Sequence, residues 1–208
     1  MPLDDEAAGW TELALQAAKR QESLVAEILD VFSSDRGAFV APPDPAAARD
    51  LAKAIRDVVA QAQPAARVRH AEVRAEIEAA PLRVIAEETR LVRVLANLVD
   101  NALRHSPFGG LVMVSARREA STTRVNVDDQ GPGVPKEVMP YLFEMFAGGQ
   151  TGVAGTGLGL YFCRITVERW GGGIGYERRP EGGSRFWIRL SDGPEPSAER
   201  EESVRGRN

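Results

Sequence analysis

The chain has 208 residues, of which 43% are hydrophobic and 27% charged, the balance of an ordinary globular protein with room for one sizeable domain and an accessory element. A formal net charge of -4 leaves no basic excess to neutralise phosphates, so a general nucleic-acid binder is excluded. The single cysteine, Cys163, permits no internal disulfide and fits a reducing cytoplasm, and no apolar run approaches the roughly 20 residues of a membrane span.

The acidic start Met1-Pro2-Leu3-Asp4-Asp5-Glu6 lacks the basic opening of a secretory signal. Any membrane sensor therefore lies on another chain or on another part of a longer protein. Residues 6–32 read as one long amphipathic helix. Trp10, Leu13, Ala17, Leu24, Ile28 and Val31 recur at spacings of three, four or seven and mark one apolar stripe. A lone helix cannot bury such a stripe, so it packs either on its own domain or against another chain. Ser33 to Gly37 and the run Pro42-Pro43-Asp44-Pro45 break the helix, giving a linker over 34–45.

A second helix is expected over 46–63, with Leu51, Ile55, Val58 and Val59 inward and Pro64 ending it. Alternation over 68–77 predicts a strand that contains His70, and a short strand is expected over 83–85. Residues 88–105 read as a third helix, with Leu91, Val94, Leu95, Leu98 and Leu103 on its core face. Strands follow over 111–116 and 123–127, then loop chemistry over 130–157. A helix over 158–170 and strands over 174–178 and 185–190 complete the pattern. The tail from 192 is rich in Pro, Glu, Ser and Arg and is expected to be disordered. Adjacent strands recur without intervening helices, so the pattern predicts a two-layer α/β sandwich over 46–191. In it a mixed sheet carries helices on one face.

Four short motifs carry chemistry. Asn97 and Asn101 are four apart on the third helix, so both amides share one face, which Arg104 and His105 prolong. An Asn carbonyl suits Mg²⁺, which takes oxygen ligands shared with substrate phosphates; buried amides satisfied by backbone are the alternative. Asp128-Asp129-Gln130-Gly131-Pro132-Gly133 follows a strand. A carboxylate there could accept a hydrogen bond from an exocyclic amine while the glycines admit a base, although an ordinary turn has the same composition. Tyr141-Leu142-Phe143-Glu144-Met145-Phe146 precedes a glycine-rich stretch, with simple packing of two phenylalanines as the alternative. Gly155-Thr156-Gly157-Leu158-Gly159-Leu160 opens a helix with bare N–H groups, a phosphate cradle. The spacing does not fit a dinucleotide-binding fingerprint, and no Gly-Lys-Ser/Thr ending is present for a Walker loop.

In this order and spacing the motifs resemble the histidine-kinase branch of the GHKL ATPase superfamily, whose domain has the Bergerat fold. Residues 97–105 resemble its N box, 129–133 its first glycine box, 143–146 its F box and 155–160 its second glycine box. Gly182-Gly183-Ser184-Arg185-Phe186 is similar to the family's final hairpin. The resemblance implies ATP and Mg²⁺ as cofactors. By it Asn101 would coordinate the metal, Asn97 would support that site, Arg104 would stand near the terminal phosphates and His105 would line the nucleotide. Asp129 would accept the adenine amine, with Gly131 and Gly133 shaping the base pocket beside Phe143. Gly155, Thr156, Gly157, Leu158 and Gly159 would meet the phosphates. Asn97 and Arg104 are the implied catalytic residues. Hydrolytic members carry a glutamate where Asn97 stands, and an amide cannot take a proton from water; transfer is favoured over hydrolysis.

Two departures bear on function. Ala147-Gly148-Gly149-Gln150 lacks the Lys or Arg that family members often carry after the F box. The phosphoacceptor motif is missing too, for the only histidines are His70 and His105 and neither fits it, while Leu24 to Asp30 resembles the end of the second dimerisation helix over 1–33. The implied partners are a phosphoacceptor histidine domain, a response regulator and a second copy paired through the first helix. A degenerate kinase acting as an ATP-dependent regulatory module and a serine kinase of the anti-sigma type are the other readings.

Overall fold

The computed structural model describes residues 43–44, 48–147 and 157–194. The expected first helix, most of the linker, Gly155 and Thr156 lie outside the described residues. In chain order the elements are β1 (Arg49–Asp50), α1 (Leu51–Val68), β2 (Glu72–Ile77), β3 (Arg83–Val84), α2 (Glu88–His105), β4 (Leu111–Glu119) and β5 (Thr122–Asp128). A 3₁₀ turn at Met139–Tyr141 precedes α3 (Leu158–Arg169), β6 (Gly173–Arg178) and β7 (Ser184–Ser191).

Five strands form one mixed sheet in the order β2-β4-β5-β7-β6. Only β2 and β4 run parallel, starting from Glu72 opposite Leu111, because the chain between them crosses over through α2. The other pairs are antiparallel. Val112, Val114 and Ala116 of β4, Val125 and Val127 of β5, and Phe186, Ile188 and Leu190 of β7 are all buried. Their period of two places them on one face. Against that face lie Leu51, Ile55 and Val58 of α1, Leu91, Val94, Leu95 and Leu98 of α2, and Leu158, Phe162 and Val167 of α3. The opposite face carries charged and aromatic side chains. There the guanidinium groups of Arg124 and Arg189 lie over the Trp187 ring at 4.8 and 5.5 Å. This is the expected two-layer sandwich, helices on one face of a mixed sheet.

The second helix departs from expectation at both ends. It runs Leu51–Val68 and contains Pro64. Asp50 caps it by accepting from the Lys53 N–H at 2.9 Å, and the Leu51 N–H is taken by the Leu82 carbonyl; these bonds fix the start five residues later than the composition suggested. Pro64 removes one donor, but Ala62 and Ala66 are both buried and continue the packed face past it. The strand expected over 68–77 begins only at Glu72. His70 is not in a strand but in the turn after α1, with φ 50°, because its N–H and that of Ala71 fold back onto the Arg67 and Ala66 carbonyls.

The third helix has its expected bounds. The two-residue β1, which pairs with β3, had no sequence signal. Asp192 and Gly193, assigned to the tail from the sequence, are tied to the domain. The Asp192 carboxylate accepts from the Thr123 hydroxyl at 2.6 Å, and the Gly193 N–H donates to the Arg83 carbonyl at 2.8 Å.

Candidate active site

The site is assembled from α2, the segment after β5, the start of α3 and the β6–β7 hairpin. On α2 the residues 97, 101 and 105 are half-buried while Leu98, Val99, Ala102 and Leu103 point into the core. The polar row is thus the edge of the helix rather than its buried stripe. From Asn97 to His105 it extends about 12 Å at the α-helical rise per residue. Arg104 is exposed beside it.

Asn97 joins α2 to α3. Its Nδ2 donates to the Gly159 carbonyl at 3.4 Å, and a Cβ on Gly159 would sit 3.7 Å from the same amide. Beneath it the buried Cys163 thiol is pushed up to about 12 by burial and donates to the Val94 carbonyl at 3.6 Å. It is a packing residue and not a nucleophile. Gly157 precedes α3 with φ 71°, a left-handed turn that favours glycine. Leu158 puts its side chain into the core, 1% exposed, so only its main chain can face a phosphate.

At the other end of the row, Asp129 is 1% exposed. One carboxylate oxygen, Oδ1, accepts from the Gly131 N–H at 2.7 Å and from the Ser184 N–H at 3.2 Å. The other, Oδ2, is buried without a hydrogen-bond partner among the described residues. Such an oxygen costs free energy until a donor arrives. Gly131 lies under the last turn of α2: a Cβ there would fall 2.5 Å from the His105 carbonyl, so no larger residue fits. The His105 imidazole is held below its ordinary value, first by burial, then by Arg104 and, more weakly, Arg69, with Asp129 opposing. Gly133 has φ 81°, and the Val134 N–H beside it donates to the Tyr176 hydroxyl at 3.0 Å.

Phe143 packs edge-on to Phe186 at 6.4 Å, and Phe186 meets Tyr176 at 5.4 Å. Glu144 pairs with Arg164 of α3 at 2.6 Å, which anchors the same segment to the helix that follows. The structure therefore brings together Asn97 with Gly159, and His105 with Gly131 and Asp129. Asn101 and Arg104 stand between the two groups.

Several contributors were missed from sequence. Ser184, in the final hairpin motif, holds Asp129 through both its N–H and its carbonyl, the latter accepting from the Asp129 N–H at 2.9 Å. Arg185 binds Asp128 through two bonds of 2.7 and 2.6 Å. Arg69 donates to the Ser106 carbonyl at 2.9 Å and so braces the end of α2. Main-chain recognition of this kind leaves no composition signal, since any residue has an N–H and a carbonyl.

The residues fit a nucleotide: an unpartnered buried acceptor, glycines pressed against it, and a glycine turn opening a helix. No group of three or more His, Cys, Asp or Glu side chains capable of holding a metal occurs among the described residues.

A family model described as histidine kinase-, DNA gyrase B- and HSP90-like ATPase matches residues 86–194. The sensor protein DivL of Caulobacter vibrioides is 42% identical over 52% of this chain and 14% of its own length. The sensor protein SphS of Synechococcus elongatus is 32% identical over 94% of this chain and 49% of its own. The chain thus spans less than half of either relative. Among solved structures, the catalytic domain of the histidine kinase ThkA superposes with a TM-score of 0.63 at 32% identity, covering 70% of this chain and 94% of that domain. Full-length ShkA in complex with AMPPNP superposes with a TM-score of 0.71 at 25% identity, over 84% of this chain and 37% of ShkA. The chain belongs to the histidine kinase-, DNA gyrase B- and HSP90-like ATPase family, and its ATP-binding catalytic domain is of the kind found in sensor histidine kinases of two-component systems.

Proposed function

We propose that the chain binds Mg²⁺·ATP and donates its γ-phosphate to a histidine that neither His70 nor His105 supplies. The observation that carries this reading is the Asp129 carboxylate, one oxygen fixed by two N–H groups and the other buried and unpartnered. It is ready to accept from an adenine amine. Asn101, at the middle of the polar row, would hold Mg²⁺, with Asn97 supporting and Arg104 near the terminal phosphates. Gly157 and Gly159 would present main-chain N–H groups to the phosphates, joined by Gly155 and Thr156. The bound metal supplies neutralisation of charge on the transferring phosphoryl group; this chain's residues supply position and exclude water.

Asn97 favours transfer over hydrolysis. An amide cannot act as a base, and its Nδ2 is committed to the Gly159 carbonyl. Neither histidine suits the acceptor role: the His70 ring lies 4.7 Å from that of Phe108 on a turn, and His105 closes the end of the nucleotide row. A phosphoacceptor domain, a response regulator and pairing of two copies through residues 1–33 complete the proposed cytoplasmic system. ThkA has been solved in complex with the response regulator protein TrrA, which supports the second of these. The missing cation in Ala147-Gly148-Gly149-Gln150 favours the regulatory-module reading as the alternative.

Calorimetric titration of Mg²⁺·ATP into the wild-type chain and Asn101→Ala tests the metal role. The variant is expected to bind ATP no better with Mg²⁺ than without it, while keeping its fold. Undiminished Mg²⁺-dependent affinity in the variant rejects the assignment.

A further inference from the structure

We propose that Arg179, in the turn between β6 and β7, is a positioning residue that sets Asp129 for reading the purine amino group. This rests on Asp129 being the amine acceptor. The Arg179 Nη1 donates to the Asp129 main-chain carbonyl at 3.0 Å, while its Nε faces the Asp128 carboxylate at 3.8 Å. One guanidinium thus hydrogen-bonds the last of two consecutive residues at the end of β5 and lies within ion-pair range of the other, whose carboxylate Arg185 also binds. The side chain is 23% exposed and its backbone is itself fixed, since its N–H donates to the Gly183 carbonyl and its carbonyl accepts from the Gly182 N–H.

The same turn touches Asp129 from a second direction. Gly183 has φ 94°, and any Cβ on it would collide with the Asp129 carbonyl. Ser184, the next residue, donates to Asp129 Oδ1. The hairpin therefore grips Asp129 by a guanidinium on its carbonyl, a close backbone contact from Gly183, and Ser184, whose carbonyl accepts from the Asp129 N–H and whose N–H donates to Oδ1. What remains free is Oδ2. A hydrogen bond to that oxygen depends on direction, and a charge-assisted one loses most from misalignment. Removing the Arg179 guanidinium loosens the peptide after Asp129, and with it the Gly131 N–H that holds Oδ1 and so sets the direction of Oδ2.

The test is calorimetric binding of ATP and of purine riboside triphosphate, which lacks the 6-amino group, to the 208-residue chain with Mg²⁺. Wild type is expected to favour ATP by about tenfold or more, the worth of one hydrogen bond to a charged acceptor. In Arg179→Met that preference should fall to within about threefold of unity, because ATP weakens while the amine-free nucleotide binds about as before. Arg179→Lys, which reaches one of the two oxygens but cannot fork across both, should give an intermediate preference. A full preference in Arg179→Met, equal weakening of both nucleotides, or a lysine variant no better than methionine overturns the positioning role. A wild-type preference near unity instead removes the amine-reading assignment of Asp129, and this proposal with it.

Discussion

Two residues at the end of the polar row give opposite kinds of sensitivity. Asp129→Asn should retain the contacts of Oδ1, because an amide oxygen can also accept from Gly131 and Ser184. It would, however, place an N–H₂ where the unpartnered oxygen now stands. Donor would then face donor, and ATP affinity should fall by about tenfold or more, the equivalent of roughly 1.5–3 kcal/mol. Calorimetry checks the loss, and an unchanged dissociation constant contradicts the role. His105 gives a pH signature. Its folded value lies below the ordinary 6.5, chiefly through burial, with Arg104 and Arg69 adding to it and Asp129 opposing. As pH falls below 6.5 the unfolded chain takes up the proton first, so stability is complete above that value and declines toward the lower folded value. Denaturant unfolding between pH 7.5 and 5 should show that slope, and His105→Gln should reduce it. Equal slopes in both proteins would refute the assignment.

The sheet and helices make separate demands on single positions. Gly175 of β6 lies beneath the Trp187 ring, so a Cβ there would strike it, and that ring is also in contact with Arg124 and Arg189. Gly175→Ala should cost about 1–3 kcal/mol by overpacking, and Trp187→Ala in the same chain should recover part of it; additive losses in denaturant melts would show that the two do not meet. The periodicity of α2, β4 and β7 was readable because each has one buried face, and the spacing of Asn97, Asn101 and His105 placed them on one helical edge. Pro64 misled because tertiary packing of Ala62 and Ala66 outweighs one lost hydrogen bond. His70 misled because the alternation continues through a turn that is closed by the His70 and Ala71 N–H groups, main-chain bonds with no composition signal. On the site side, Asp129 and Gly131 were legible as a motif. The Arg179 and Ser184 contacts that hold Asp129, and the Tyr176 hydroxyl that accepts from the Val134 N–H, come from a hairpin about 50 residues later, a juxtaposition only the sheet order β5-β7-β6 creates.

As a whole the described molecule is a nucleotide site built on one open edge of a sandwich, with the rest of the sheet and helices giving it rigidity. It carries a buried, unpartnered carboxylate oxygen, a polar helix edge and a glycine turn, and no helix among the described residues is long and apolar enough to cross a membrane. On the proposed reading, phosphoryl transfer depends on a histidine brought to it. The most direct measurement incubates the chain with Mg²⁺ and γ-labelled ATP, alone and with a separate histidine-bearing dimerisation fragment of a sensor kinase. The account predicts acid-labile label on the added fragment and none on this chain. Robust self-labelling at His70 or His105, or tight ATP binding with no transfer to any supplied fragment, would contradict it.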